Sequence, residues 1–432
     1  MIKTFVELFK NKETRKKIYF TLVCLVIVRL GVHITAPNIN HFYIKASLNN
    51  TNSILDMMNL LGGGFIQSFA IFSMGVGPYI TASIVFELLS MDVIPHLTNL
   101  KKEGEKGRKK LDTYTRYLSV VLCFVQSISL LYATNISNPG LVIDPSFGGY
   151  FKTGLVMTAG SMFMLWIADQ ITKKGIGNGT SMLIFVGIVA NIPQQFQATY
   201  ADLLGNGFSV SGLISFIMFV VMYFLIIVLV AYMGNAERRI PIHYTSSSVV
   251  QKKSDKSYLP LKINSASVIP VIFASAIMTA PLTVLSFFNN ETAIGIHGFL
   301  NNIFSLTTWN GLLIYSILII LFTFFYTNLQ VDPKKISQDL AKNGSYIVSI
   351  RPGDDTFNYI KKVLNRITVL GALFLLFIAL IPYLIPMIFN IPHRLAIGGT
   401  GMIIVVGVAQ ETMKSLSAQL TQRKYSGFKR GR

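Results

Sequence analysis

The chain has 432 residues, 52% of them hydrophobic and only 13% charged, with a mean hydropathy of +0.53. A water-soluble domain carries about 25% charged residues, so this composition excludes one and points to an integral membrane protein. Cys24 and Cys123 are the only cysteines and both fall inside apolar runs, which leaves no basis for a disulfide framework or a cysteine-based metal site.

Ten apolar runs follow one another, at roughly 18–35, 65–91, 117–134, 153–172, 178–197, 209–233, 267–288, 309–330, 367–386 and 395–413. A spanning helix needs about 20 apolar residues, so each run predicts one crossing. The segment before the first run (MIKTFVELFKNKETRKK) is polar and amphipathic and shows no cleavage signal, so the first span is expected to be retained. Lys and Arg exceed Asp and Glu by 38 to 19, a net charge of +19, and their placement alternates. Segments on one side of the expected membrane hold 34 of them. The other side holds three (Lys45, Lys152 and Arg394), and Arg29 lies within the first run. The positive-inside rule then predicts that both termini are cytoplasmic.

The stretch from Ser53 to Leu89 is unusual. Ile54 to Leu61 is apolar but far too short to cross a bilayer, and Gly62-Gly63-Gly64 breaks it. The run from Phe65 to Leu89 is long enough to span, with Gly75, Gly77 and Pro78 in its middle. The reading is a short re-entrant helix, a joint, and a full crossing with a weakened centre. Irregular backbone at membrane depth is tolerated only against protein or water, which predicts an aqueous path beside this stretch.

Five runs precede residues 198–212 and five follow. An odd number of spans per half inverts the second half, and inverted halves meet at a central path. The expected organisation is an N-terminal half (1–197), an external hinge (198–212) and a C-terminal half (213–432). Two cytoplasmic loops are long, 234–265 and 331–365. In the first, ERRIPIHYTSSSVV alternates and predicts a hairpin. In the second, PKKISQDLAKNG predicts a helix stopped by Gly344, and a turn follows at Arg351-Pro352. Together they read as a projecting platform for a soluble partner.

No catalytic constellation is present. The six histidines (His33, His41, His96, His243, His297 and His393) are scattered, with no pair at metal-ligand spacing. There is no Walker A pattern and no G-x-S-x-G, so an enzyme is disfavoured and no cofactor is expected. Ionisable residues in spans are functional candidates by default: Arg29 is expected deep in the first span and Glu87 late in the second. Asp169 and Glu411 are read as reaching the interface from span ends. Gly175, Gly177 and Gly179 predict a tight turn with close backbone approach between the fourth and fifth spans.

Motifs along the whole chain resemble the SecY/Sec61 family, the central subunits of protein-conducting channels, in its bacterial form. They include PYITASI (78–84), KKEGEKGRKKL (101–111), TRY (115–117), QITKKGIGNGTS (170–181), ERRIPIHY (237–244), LPLKIN (259–264), VIPVIFA (268–274), FFYT (324–327), IRPG (350–353) and GGT with IIVVGVA (398–409). The resemblance implies an all-α polytopic fold of ten helices in two inverted halves around an hourglass pore. It implies a plug at about 54–66, comprising Ile54, Leu55, Met57, Met58, Leu60, Leu61, Gly62, Gly63 and Gly64. It implies a waist ring of Val76, Ile80, Thr180, Ile184, Ile272 and Ile404, in which Thr180 departs from an all-aliphatic set. Aliphatic side chains resist wetting at a constriction and form no directional bonds, so a dry waist blocks ions yet lets any polypeptide slide.

The same resemblance implies a lateral gate between the second and seventh spans, with Glu87 and Asn264 at polar gate positions. Arg238, Arg239 and Arg351 match positions that dock a ribosome or a motor, where guanidinium suits phosphates and carboxylates alike. The implied function is a passive channel in the bacterial plasma membrane for unfolded, signal-bearing polypeptides, releasing apolar segments into the lipid bilayer. The implied partners are SecE-type and SecG-type subunits, a SecA-type ATPase motor and the ribosome. The alternative class is a secondary transporter with broken helices. Departures from the family pattern are Glu87 for Gln, the segment Ile34-Thr35-Ala36-Pro37-Asn38, which lacks one proline and the glycine usual there, Ser267 for the glycine before VIP, Val348-Ser349 for Pro-Gly, and Asp332 for Asn.

Overall fold

The computed structural model describes residues 12–40, 69–90, 94–137, 139–204, 210–244, 258–285, 294–306, 308–389 and 394–429. The plug residues 54–66 lie outside the described residues, as do 205–209 of the expected hinge and 245–257 of the first long loop. In chain order the elements are α1 (Lys12–Gly31), α2 (Gly77–Leu89), α3 (Pro95–Lys102), α4 (Glu105–Ser137), α5 (Phe147–Lys174), α6 (Gly179–Leu204) and α7 (Val210–Asn235). There follow β1 (Glu237–Tyr244), β2 (Tyr258–Lys262), α8 (Ile269–Leu285), α9 (Ile294–Phe304), α10 (Trp309–Gln330), α11 (Pro333–Lys342), β3 (Ser345–Ile347), α12 (Asp354–Phe389) and α13 (Arg394–Lys429). The fold is all-α and polytopic. Five helices of the described residues, in α4, α5, α7, α10 and α12, are long and apolar enough to cross a membrane.

Helix starts follow local chemistry. Asp332 accepts from the amides of Lys334 (2.9 Å) and Lys335 (3.3 Å) ahead of Pro333, so a carboxylate meets the positive end of α11. Ser146 and Thr308 accept from Gly149 and Gly311 in the same way. Arg29, expected deep in the first span, lies in the last turn of α1, so its charge meets the negative end of the helix.

In the second apolar run the regular helix is short. Phe69–Val76 form turns, with Gly75 at φ 57°, and α2 begins at Gly77 with Pro78 in its first turn. Its 13 residues rise about 20 Å, short of the roughly 30 Å hydrocarbon core. The irregular backbone is satisfied by the segment after α1: Ala36 N donates to Phe69 O (2.9 Å) and Ile71 N to Ile34 O (3.0 Å). Gly160 of α5 admits this backbone, since a Cβ there would sit 2.2 Å from Ile71 O.

Two large apolar cores result. One gathers α1, α5, α6 and the start of α2 around Val28, Phe72, Val76, Met164, Ile171 and Ile184, with Ile404 and Val408 of α13. The other gathers α7, α8, α10 and α12 around Ile226, Met278, Tyr315 and Ile378, with Ile84 of α2. Ile80 and Ile272 pack against both.

The two long loops form one platform. β1 pairs antiparallel with β2 from Glu237↔Lys262 to Pro241↔Tyr258, the expected hairpin, and with β3 from Ile242↔Ile347 to Tyr244↔Ser345. The order β2-β1-β3 rests on Ile240, Leu261, Ile347, Ile360 and Ile367, the last two from the start of α12. α12 has 36 residues and is about 54 Å long, so its first turns support this sheet beyond any bilayer-thick portion.

Three residues in the segments read above as departures lie in the left-handed region that favours glycine: Asn38 (φ 66°), Ser267 (φ 56°) and Ser349 (φ 66°). Asn38 is compensated by a clasp, its amide donating to Asp144 O (3.0 Å) and its oxygen accepting from Asp144 N (2.8 Å). An L-residue in this region costs about 1–2 kcal/mol. Ser267→Gly is therefore expected to leave thermal stability in detergent equal or slightly raised, whereas Ser267→Val lowers it by about 1–2 kcal/mol. Equal melting of the Gly and Val variants would refute the strain.

Candidate functional site

Five of the six expected waist residues, from four helices, enter one apolar contact set. Val76, Ile184 and Ile404 are buried within it, and Ile80 and Ile272 pack against it. Each is placed by a local feature. Val76 and Ile80 stand one turn apart at the start of α2, bridged by the hydrogen bond from Ile80 N to Val76 O (3.1 Å). Ile184 follows the glycine turn, where Gly177 has φ 70° and Gly179 presses so close that a Cβ would meet Ala168 O at 1.8 Å. Ile404 lies in the apolar IIVV segment of α13, beside Gly407, where a Cβ would meet Val268 at 2.8 Å. Thr180 is held differently. It sits in the first turn of α6, and its hydroxyl donates to Asn178 Oδ1 (2.7 Å).

The two gate candidates differ in their surroundings. Glu87 Oε2 accepts a hydrogen bond from the Tyr326 hydroxyl of α10. Asn264 Oδ1 is buried with no hydrogen-bond partner among the described residues. It sits where β2 gives way to α8, and α12 presses there: a Cβ on Gly371 would meet Ile263 O at 2.6 Å.

The docking candidates share the platform. Arg238 and Arg239 lie on β1, and Arg351 lies in the turn between β3 and α12. All three are exposed. Arg239 is pre-oriented: Nε bonds Glu237 Oε1 at 2.7 Å and its guanidinium lies 4.8 Å from the Tyr258 ring centroid. The hydrogen bond to Glu237 pushes its pKa up, so its charge is permanent. The Arg351 carbonyl accepts from Thr356 (2.8 Å), fixing the turn at the head of α12.

Sequence reasoning missed a polar network beside the waist. Tyr79, between Val76 and Ile80, donates to Asp112 Oδ1 of α4 (3.1 Å). Arg116 pairs with Asp112 (3.0 Å) on its own helix and with Asp169 of α5 (2.8 Å). Asp169, read as reaching the interface, is the partner of Arg116, because α4 and α5 pack against each other. Glu411 is exposed. The i,i+4 spacing of Asp112 and Arg116 was the available signal.

Comparison with known proteins decides the family. The family model described as SecY matches residues 70–413. The chain belongs to the SecY family. It is 44% identical over 434 residues, covering 99% of both chains, to the protein translocase subunit SecY of Staphylococcus carnosus. It is 41% identical to the same subunit of Mycoplasma capricolum, covering 97% of this chain and 89% of that one. Among solved structures it resembles "The structure of a protein conducting channel", with a TM-score of 0.63 at 17% identity, covering 94% of this chain and 92% of that chain. It also resembles Sec61 in the canine ribosome-channel complex from the endoplasmic reticulum, with a TM-score of 0.61 at 18% identity over the same shares. Membership of the SecY family sets aside the transporter reading and, with the apolar helices, makes the chain a multi-pass membrane protein.

The Arg116 network is expected to hold α4 against α5. Its side chains are 39% and 24% exposed on the Arg116–Asp169 pair, so solvent screens part of the attraction. Arg116→Met should lower thermal stability by about 1 kcal/mol, and the loss should shrink when Asp169 is already Asn. Full additivity of the two would disprove the coupling.

Proposed function

We propose that this protein is the pore-forming subunit of a Sec-type protein translocase. It is a passive channel, not an enzyme, and it conducts unfolded, signal-bearing polypeptides across the bacterial plasma membrane and releases apolar segments sideways into lipid. In this reading ten spans form two inverted halves, 1–197 and 213–432, joined at 198–212, with both termini cytoplasmic. SecE-type and SecG-type subunits surround it, and a SecA-type motor or the ribosome docks on the platform through Arg238, Arg239 and Arg351. The occurrence of Sec61, to which the chain is structurally similar, in a ribosome-channel complex supports the last point by analogy.

One observation carries the reading: aliphatic side chains of α2, α6, α8 and α13 converge where the two cores touch. Such a contact contains no hydrogen bond, so the halves can part there without stranding a polar group. It resists wetting when closed, and residues 54–66 serve as a second seal.

The test is ion conductance of the native complex in planar bilayers. Ile272→Asn is expected to raise the resting conductance several-fold, and deletion of 54–66 to raise it further. Resting conductance unchanged by both would overturn the waist and the plug. Separately, Arg351→Glu should abolish motor-driven export of a precursor in membrane vesicles while the amount of folded protein stays the same. Unimpaired export would remove Arg351 from docking.

A further inference from the structure

The two helices read as the gate, α2 and α8, are joined through a third. Tyr326, four residues before the end of α10, is buried. Its ring packs edge-on against Phe273 of α8, with centroids 4.8 Å apart and planes at 77°. Its hydroxyl donates to Glu87 Oε2, two residues before the end of α2. One side chain thus touches both gate helices, by an aromatic contact on one side and a hydrogen bond on the other.

The remaining contacts of α2 divide in kind. Toward the N-terminal group it has directional anchors: Tyr79 on Asp112, and Phe86 stacked on Tyr114 with centroids 6.4 Å apart. Toward the C-terminal group it has the apolar row Ile80, Ile84 and Leu88, spaced four residues apart on one helix face. An incoming apolar helix offers that row the same kind of surface it leaves, so exchanging those contacts costs little. The hydroxyl–carboxyl bond has no such substitute. An apolar segment wedged between α2 and α10 strands both groups, which is costly.

We propose that Tyr326 is a positioning residue for signal recognition: bonded to Glu87 and packed on Phe273, it bolts α2 to α8 through α10 and sets how apolar a segment must be to enter. The inference rests on the channel reading above and adds to it the residue that sets the threshold. Glutamine, usual at position 87 in the family, retains an acceptor oxygen, so the bolt needs the acceptor rather than this particular side chain.

The test uses the native complex reconstituted in liposomes with its motor. The readout is the ratio of export of a secretory precursor to export of the same precursor carrying one arginine in its apolar signal core. Tyr326→Phe keeps the ring and its packing and removes only the donor. It is expected to lower that ratio about tenfold, the scale of one lost hydrogen bond to a charged or strongly polar group. Glu87→Leu should do the same, Glu87→Gln should stay near wild type, and Tyr326→Phe with Glu87→Leu should do no more than either alone. Thermal melting of each variant is measured alongside, and a purely packing role would move melting without moving the ratio. An unchanged ratio in Tyr326→Phe, additive effects in the double variant, or Glu87→Gln falling as far as Glu87→Leu would each overturn the bolt. A wild-type complex that exports neither precursor would instead count against the channel reading.

Discussion

Two apolar cores meet at Ile80 and Ile272, and the rest of the architecture is arranged around that contact. α13 contributes to both cores, Met402 and Ile403 to one and Ile404 and Val408 to the other. The seam is aliphatic and carries no directional bond in its middle. A seam of this kind is cohesive because it excludes water, yet its aliphatic middle separates without leaving donors or acceptors unpaired, the Tyr326–Glu87 bond lying outside it. A polar seam of equal area would be either wet or too costly to open.

The short α2 is the part that this arrangement makes possible. A helix of 13 residues cannot cross a bilayer alone, and the chain before it is turn rather than helix. That irregular backbone persists because Ile34 and Ala36 satisfy it and because Gly160 leaves room for it on α5. The result is a helix end near the middle of the bundle, with Val76 turned toward one core and Ile84 toward the other. It is tied to α4 by the Tyr79–Asp112 bond and the Phe86–Tyr114 stack, and to α10 by the Glu87–Tyr326 bond, while its apolar row closes against the second core.

The platform follows a different rule. Its strands come from two loops separated by three helices. They combine over the first turns of the long α12, burying Ile240, Leu261 and Ile347 on Ile360 and Ile367. This leaves Arg238 and Arg239 exposed on β1 and Arg351 exposed in the turn after β3, with Arg239 already oriented by Glu237 and Tyr258.

Much of this was legible in the residues. Hydropathy located ten apolar runs because lipid demands contiguous apolar length, and each run contains a helix here, one of them, 309–330, end for end, whereas in 65–91 the helix begins only at Gly77. The hairpin, the α11 stop at Gly344 and the glycine turn before α6 came from local backbone preferences. The waist positions were legible only through motif resemblance, since an isoleucine that lines a seam is indistinguishable in sequence from one that fills a core. Tertiary structure alone decided where α2 begins, that Asp169 faces Arg116, and that Tyr326 reaches Glu87 from 239 residues away. The physical reason is range. Helix length, caps and turns are set by neighbours along the chain, whereas the partner of a side chain is set by which helices pack together, and no local preference encodes that.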